Sequence, residues 1–225
     1  MDIEQWAQGL LMEVCAKWEN NKGNYDFSES GFSVFYSPVR QSPELMIIGY
    51  NPGGDETSFC KARDLCVPVT HEYIDYKSDR KYPIAGKMYN LFENISKSDW
   101  LERSVKLNVL FFRSKSEQQW NTIKKDVRKD LKEFSYMKVK EIADVLTPKF
   151  ILTEGIKTFN ILTNIILCCS EKPVFEQGRG NRAIYARSRY NDIKIIGLIH
   201  PTGARVSNDE WLKVKEYLKK DFSFE

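Results

Sequence analysis

Leu45-Met46-Ile47-Ile48-Gly49-Tyr50-Asn51-Pro52-Gly53-Gly54 is the stretch from which the fold is read. A short continuous apolar run that stops at glycine predicts a strand covered on both faces, as parallel sheets require. Phe150-Ile151-Leu152 repeats the pattern, and Gly155 then leads into a helix from Ile156. Val105 to Phe112 is strand-like, and Phe32 to Tyr36 alternates as a short strand would. Ala183–Tyr190 and Asp192–Ile199 read as a hairpin whose second strand enters the core. Between these runs, apolar residues recur at helical spacing: Trp6, Leu10, Leu11, Val14 and Trp18, then Met88 to Ile95. Glu117 to Val145 is rich in Lys, Glu and Asp and predicts one or two amphipathic helices. Ser207 with Glu210 three residues on forms a capping box before a closing helix with Trp211, Val214, Leu218 and Phe222 on one face.

Strands alternating with helices predict an α/β fold, a three-layer α/β/α arrangement around a mainly parallel sheet of four to five strands. No repeat or Pro/Gly/Ser linker divides the 225 residues, so residues 1–225 are expected to form a single domain. A long polar stretch, 55–81, reads as an insert, since a loop of that length in a compact domain is functional or disordered. Ligands of such sheets bind beyond the carboxyl ends of the strands. Gly49–Gly54 and His200–Arg205 both stand at strand exits of this kind.

Composition narrows the class. Charged residues of both signs make up 29%, and the net charge of +3 permits nucleic-acid binding without requiring it. Five cysteines with no CxxC pair argue against a disulfide framework, a structural zinc or a cluster. Cys168 and Cys169, at the end of ILTNIILCC, read as buried thiols. No signal peptide is visible, and no run approaches the ~18 apolar residues of a membrane span. The expectation is a cytoplasmic monomer, without a membrane, metal or cofactor. G-x-G-x-x-G and P-loop signatures are absent, which ranks a small-molecule nucleotide enzyme last.

IIGYNPGG (47–54) resembles the first motif, G-x-N-P-G, of the mismatch-specific uracil and thymine glycosylases and of the single-strand-selective uracil glycosylase. LIHPTGARVSNDEW (198–211) resembles the last motif of the same uracil-DNA glycosylase superfamily, whose loop enters the minor groove. LNVLFFRSKS (107–116) is similar to the middle strand of the mismatch-specific branch, and VLTPKFILTEGIKTFNIL (145–162) to its strand-gly-helix segment. The blocks follow the family's order.

The resemblance implies a monofunctional DNA glycosylase. Such an enzyme flips a uracil, a mismatched thymine or a 5-modified pyrimidine, a bulky phage-type cytosine included, out of double- or single-stranded DNA and leaves an abasic site. A role in DNA repair or in phage defence would follow. The alternative is a catalytically silent DNA-binding module on the same fold. Extrusion costs a few kcal/mol, and cleavage demands stabilisation of a developing anion. The resemblance assigns His200 to the pyrimidine's O2, where a preorganised donor typically contributes ~3–4 kcal/mol. It assigns Asn51 to the attacking water, which an amide orients but does not deprotonate. Asp55 is a candidate catalytic carboxylate, or equally a solvated turn residue.

Tyr50 belongs to the base-binding motif. An aromatic residue stands in classical uracil glycosylases where Gly53 stands here, so Gly53 and Gly54 are read as opening the C5 side of the base, or as serving the turn alone. Tyr82, in Tyr82-Pro83-Ile84, is the first choice to lie against the flipped base and Phe59 the second, while Asn108 is expected to read the base edge. Arg113 and Ser114 are expected to hold phosphate, Thr202 and Gly203 to contact DNA from the last motif's loop, and Arg205 to act there as a wedge or a phosphate clamp. The insert departs from the family. Lys61, Arg63, Lys77, Arg80 and Lys81 are interleaved there with Phe59, Tyr73 and Tyr76, which suits a strand-gripping or pocket-lining element, the alternative being a solvated surface loop. Arg179, Arg182, Arg187 and Arg189 add basic residues before the His200 strand. No lysine stands in either end motif, which argues against a Schiff-base lyase.

Overall fold

A computed structural model describes residues 2–51, 59–202 and 206–223. In chain order the helices are α1 (Ile3–Asn21), α2 (Lys61–Asp64), α3 (Glu72–Asp75), α4 (Pro83–Asn94), α5 (Ser98–Glu102), α6 (Glu117–Thr122), α7 (Lys125–Leu146), α8 (Ile156–Ile161) and α9 (Asn208–Ser223). The strands are β1 (Leu45–Gly49), β2 (Val105–Asn108), β3 (Phe150–Glu154), β4 (Val174–Gln177), β5 (Ala183–Tyr190) and β6 (Ile193–Leu198). They form one sheet in the order β2-β1-β3-β6-β5-β4. β2, β1, β3 and β6 run parallel, and β5 and β4 follow antiparallel at one edge.

The mixed α/β architecture with a mostly parallel sheet is as the apolar runs predict. Every residue of β1 and β3 is buried, because both faces of the sheet are covered. Met46, Ile48 and Ile151 join a core with Leu10, Val14 and Leu146 on one face. Leu45, Ile47 and Leu152 join a second core with Met88, Leu91 and Phe222 on the other. The chain goes from β1 to β2 on one side and returns to β3 on the other, so the connections diverge between β1 and β3. A crevice opens at such a point.

Six strands replace the expected four to five. The addition is β4, three of whose four residues are exposed, so it lacks the apolar periodicity by which strands are recognised. Phe32–Tyr36 is not a strand. It touches the sheet through two isolated bridges, Phe32 to Phe112 and Phe35 to Leu107, and its alternation reflects one face laid on the β2 edge. β2 itself ends at Asn108 although residues 109–112 are also buried. Val109 N–H and Leu110 N–H still reach Gly49 O and Tyr50 O at 3.0 Å.

The polar stretch after Asn51 is structured where described. It carries α2 and α3 and buries Asp64, His71 and Tyr73. The thiol reading is overturned, since Cys168 is exposed and Cys169 only half-buried. A π turn at Leu162–Ile166 ends the preceding helix, and Cys168 turns out of the core with φ of 49°. At α9 the capping box is present: Ser207 N–H donates to Glu210 Oε2 at 2.9 Å, and Glu210 N–H to Ser207 Oγ at 3.3 Å.

Candidate active site

The carboxyl ends of β1, β2, β3 and β6 open into one cavity of about 750 Å³. It is built from strand ends because a parallel sheet aims all of its carboxyl ends the same way. β1 delivers Gly49, Tyr50 and Asn51, β2 delivers Asn108, β3 delivers Glu154, and the turn after β6 delivers His200 and Thr202. The segment from 59 to 82 closes the far wall with Glu72, Tyr73, Tyr76 and Tyr82.

Asn108 lies on the floor with only 5% of its surface exposed, and its amide makes no hydrogen bond to any described residue. Buried side-chain amides ordinarily have partners. A Cβ on Gly49 would fall 2.1 Å from Asn108 Oδ1 and 3.1 Å from Glu154 Oε2. Only glycine there lets the amide and the carboxylate crowd over β1.

Behind Glu154 stands a buried polar network. Tyr73 donates a short hydrogen bond to Glu154 Oε1. Lys106, from the middle of β2, places Nζ 2.6 Å from Glu72 Oε1 and 3.9 Å from Glu154 Oε2. Tyr82 Oη donates to Glu72 Oε1 at 3.2 Å. Burial alone would lower the Lys106 pKa, but Glu72 and Glu154 outweigh it and hold the ammonium above its ordinary value. Burial likewise pushes the Tyr73 and Tyr82 hydroxyls up, so both keep their protons. His71 orders this wall: its Nδ1 accepts from Tyr73 N–H at 3.1 Å and its Nε2 meets Ser104 Oγ at 2.9 Å. Desolvation, reinforced by Lys106, lowers its pKa to about 4, so it is neutral.

Asn51 and His200 stand at the mouth. Asn51 Nδ2 donates to Ser114 Oγ at 3.2 Å and to Ser114 O at 3.3 Å, which leaves the amide oxygen as its outward group. Ser114 is itself buried and serves Asn51. Thr202 N–H donates to His200 Nδ1 at 3.2 Å. That bond requires a bare Nδ1, so the neutral ring carries its proton on Nε2. Desolvation lowers the His200 pKa, with Glu154 opposing it and Lys87 assisting, which favours the neutral ring. Lys87 also donates to Pro201 O at 2.7 Å and ties the turn to α4.

Of the residues expected from sequence, Tyr50, Asn51, Tyr82, Asn108, Arg113, Ser114, His200 and Thr202 all line the cavity. Phe59 does not. It packs 4.3 Å from the Trp18 ring and 5.2 Å from Phe32, held over Gly31 by its N–H to Glu29 O, and so belongs to the core. Gly53, Gly54, Asp55, Gly203 and Arg205 lie outside the described residues.

Arg113 is engaged by Asp64, 2.8 Å away, a carboxylate shared with Arg63. Lys77 lies over the Tyr89 ring, and of the insert's basic residues Lys81 lines the cavity. Arg182 and Arg187 are paired with Glu210, Glu176 and Asp221, and none of Arg179, Arg182, Arg187 and Arg189 lines the cavity. Glu72, Lys106 and Glu154 were missed as site residues. The available signal was a charge inside an apolar strand, Val105-Lys106-Leu107 and Phe150-Ile151-Leu152-Thr153-Glu154.

Among the described residues no group of three or more His, Cys, Asp or Glu side chains is gathered closely enough to hold a metal ion. No described helix is long and apolar enough to cross a membrane. Neither a protein-family model nor a curated protein matches the chain.

Proposed function

We propose that this chain is a monofunctional DNA glycosylase of the uracil-DNA glycosylase type, which takes a flipped pyrimidine into the cavity and hydrolyses its bond to the sugar. The observation that carries the reading is Asn108, whose amide has no hydrogen-bond partner among the described residues and lies on the floor of a cavity at the divergence point of the sheet. Facing the cavity, the amide is open to a ligand, and a base edge, which presents donors and acceptors in one plane, offers it hydrogen bonds worth a net ~0.5–1.5 kcal/mol each. The motifs resembling the family's first and last blocks supply Asn51 and His200 at the mouth of the same cavity.

The chemistry follows from their hydrogen bonds. As the C1′–N1 bond breaks, its electron pair leaves with the pyrimidine and charge gathers on O2. A neutral His200 donating from Nε2 suits that oxygen, since a cationic ring would have to be desolvated first. Asn51, pinned through Nδ2, keeps its amide oxygen to orient the water whose oxygen bonds to C1′. The proton of that water passes to the departing base or to solvent, because an amide does not accept it. Lys106 is buried in the cavity wall, and its ammonium is engaged by Glu72. An engaged ammonium does not attack C1′, so Lys106 is not the nucleophile of a Schiff-base lyase.

The cavity lies within the ~300–1,000 Å³ of ligand pockets, and a bare pyrimidine ring fills only part of about 750 Å³. That volume is compatible with uracil, mismatched thymine and 5-modified pyrimidines alike. DNA is the partner, and the enzyme acts as a cytoplasmic monomer. The test is an abasic-site assay on double- and single-stranded oligonucleotides carrying uracil, thymine opposite guanine, and 5-substituted pyrimidines. Release of at least one base, lost in Asn51→Ala, supports the reading. DNA binding with no release across the panel points to a silent DNA-binding module instead.

A further inference from the structure

The pocket floor carries more than a base reader of either kind. Asn108 and Glu154 converge on one point above Gly49, at 2.1 and 3.1 Å from a Cβ built there. Glu154 is only 4% exposed, and its two oxygens are differently engaged. Tyr73 Oη donates to Oε1, whereas Oε2, the oxygen beside Asn108, has among the described residues only the Lys106 ammonium at 3.9 Å, beyond hydrogen-bond length. The floor therefore presents an acceptor that needs a donor, next to an amide that offers either.

The two pyrimidine types differ at this edge. A uracil-type base turns a carbonyl oxygen, O4, toward the floor, and a cytosine-type base turns an amine. Carboxylates accept from the cytosine amine, a standard base pairing of acidic side chains. A carbonyl oxygen held against a buried carboxylate oxygen leaves both acceptors without a donor, and mismatches of buried polar groups discriminate more strongly than lost apolar contacts. Asn108 adapts to the same base by directing its amide N–H at the ring nitrogen N3, which in cytosine is an acceptor.

We propose that the floor selects a pyrimidine bearing an exocyclic amine, a cytosine-type base, with Glu154 Oε2 accepting from the amine and Asn108 donating to N3. The proposal rests on the glycosylase reading for the identity of the ligand as a flipped base. Tyr73 and Lys106 are positioning residues in it, because they fix which Glu154 oxygen faces the base.

The experiment uses the full chain and matched pairs of oligonucleotides that differ only in this edge: cytosine and uracil, 5-methylcytosine and thymine, 5-hydroxymethylcytosine and 5-hydroxymethyluracil. Single-turnover base release is measured for each. Affinity is measured in parallel on 2′-fluoro versions, which resist cleavage. The expected result is a preference for the amine-bearing member of at least about tenfold in binding, and in release where release occurs, the size that well-placed base contacts supply. In Glu154→Gln, whose amide offers a donor to O4, the preference should fall by at least about tenfold. The wild-type ratio needs no variant, so the proposal stays exposed even if Glu154→Gln fails to fold. Equal or better binding of the uracil series, or a preference unchanged in a folded Glu154→Gln, overturns it. Selective binding of the amine series without release of any base would retain this assignment and remove the catalytic one. Efficient release of the uracil series alone would do the reverse.

Discussion

Asn51 and His200 are each oriented by a neighbour: Ser114 pins the Asn51 amine, and Thr202 N–H donates to His200 Nδ1. If they act on water and O2, Asn51→Ala and His200→Ala should each lower single-turnover base release by at least ~100-fold, the usual loss for a preorganised donor. DNA affinity, measured alongside by anisotropy, should change by less than about threefold, since backbone phosphates supply most of it. Full activity in either variant would move the site elsewhere. His71 is different in kind. It is buried, neutral and bonded at both ring nitrogens, with a pKa lowered to about 4. The unfolded chain, with an ordinary histidine near 6.5, binds a proton between those values that the folded chain refuses. Stability from His71 is therefore complete above about pH 6.5 and falls as the pH drops toward 4, by up to about 3 kcal/mol. Urea unfolding at pH 7 and pH 4.5 should show that loss in the wild type. His71→Asn should be less stable at pH 7 and show a smaller difference between the two pH values.

Elements matter here mainly through their ends. β1 closes on Gly49, where a Cβ would overlap Asn108 Oδ1 at 2.1 Å. Gly49→Ala should therefore displace the Asn108 amide more than it disturbs β1, whose own residues stay buried. The expected outcome is a circular dichroism spectrum like that of the wild type with base release reduced at least ~10-fold, as befits one misplaced contact to the base. Activity equal to wild type would show that Asn108 does not read the base. At the other end of the chain, α9 begins with the Ser207–Glu210 box, and Glu210 also accepts from Arg179 N–H and Arg182. Ser207→Ala should cost about 1 kcal/mol, the ordinary value of a lost N-cap, read as a shift of the urea midpoint at constant slope. The backbone N–H groups of Ser207 and Arg179 hold the Glu210 carboxyl down to about 2. Its contribution is thus present above its ordinary value near 4.5 and is lost as the pH falls toward 2.

Across the whole molecule, net charge is only +3, so the DNA affinity that the proposed activity requires has to come from where the cations stand. Lys81, Lys115 and Arg113 line the proposed mouth, although Arg113 is engaged by Asp64, whereas Arg182 and Arg187 are consumed by ion pairs at the β4–β5 edge. A few phosphate contacts predict a linear fall of log affinity with log salt, with a slope near −0.9 for each duplex phosphate neutralised. Titration between low and physiological salt should give a slope of about −2 to −4 for duplex DNA. Lys81→Ala and Lys115→Ala should each flatten it by about one unit. A response independent of salt would count against this face as the DNA-binding one.

What the sequence determined by itself are the features that local pattern encodes. Leu45–Gly49 and Phe150-Ile151-Leu152 are legible as doubly covered strands, because burial on both faces leaves a short continuous apolar run. The closing helix is legible from a box four residues long, and the mouth from Asn51 and His200, which stand two residues beyond the ends of β1 and β6. The tertiary structure alone decided the edge strand Val174–Gln177, which has no apolar face to announce it, and the fate of Phe59, whose ring fills the core beside Trp18. It alone assembled the floor as well. Glu72, Lys106, Asn108 and Glu154 come from three separated segments, α3, β2 and β3, and nothing in the local sequence of any one says that it meets the others. They meet because parallel strands need long crossovers, which bring distant strand ends to one edge of the sheet. A buried charge persists there only where another segment supplies its partner, as Glu72 does for Lys106.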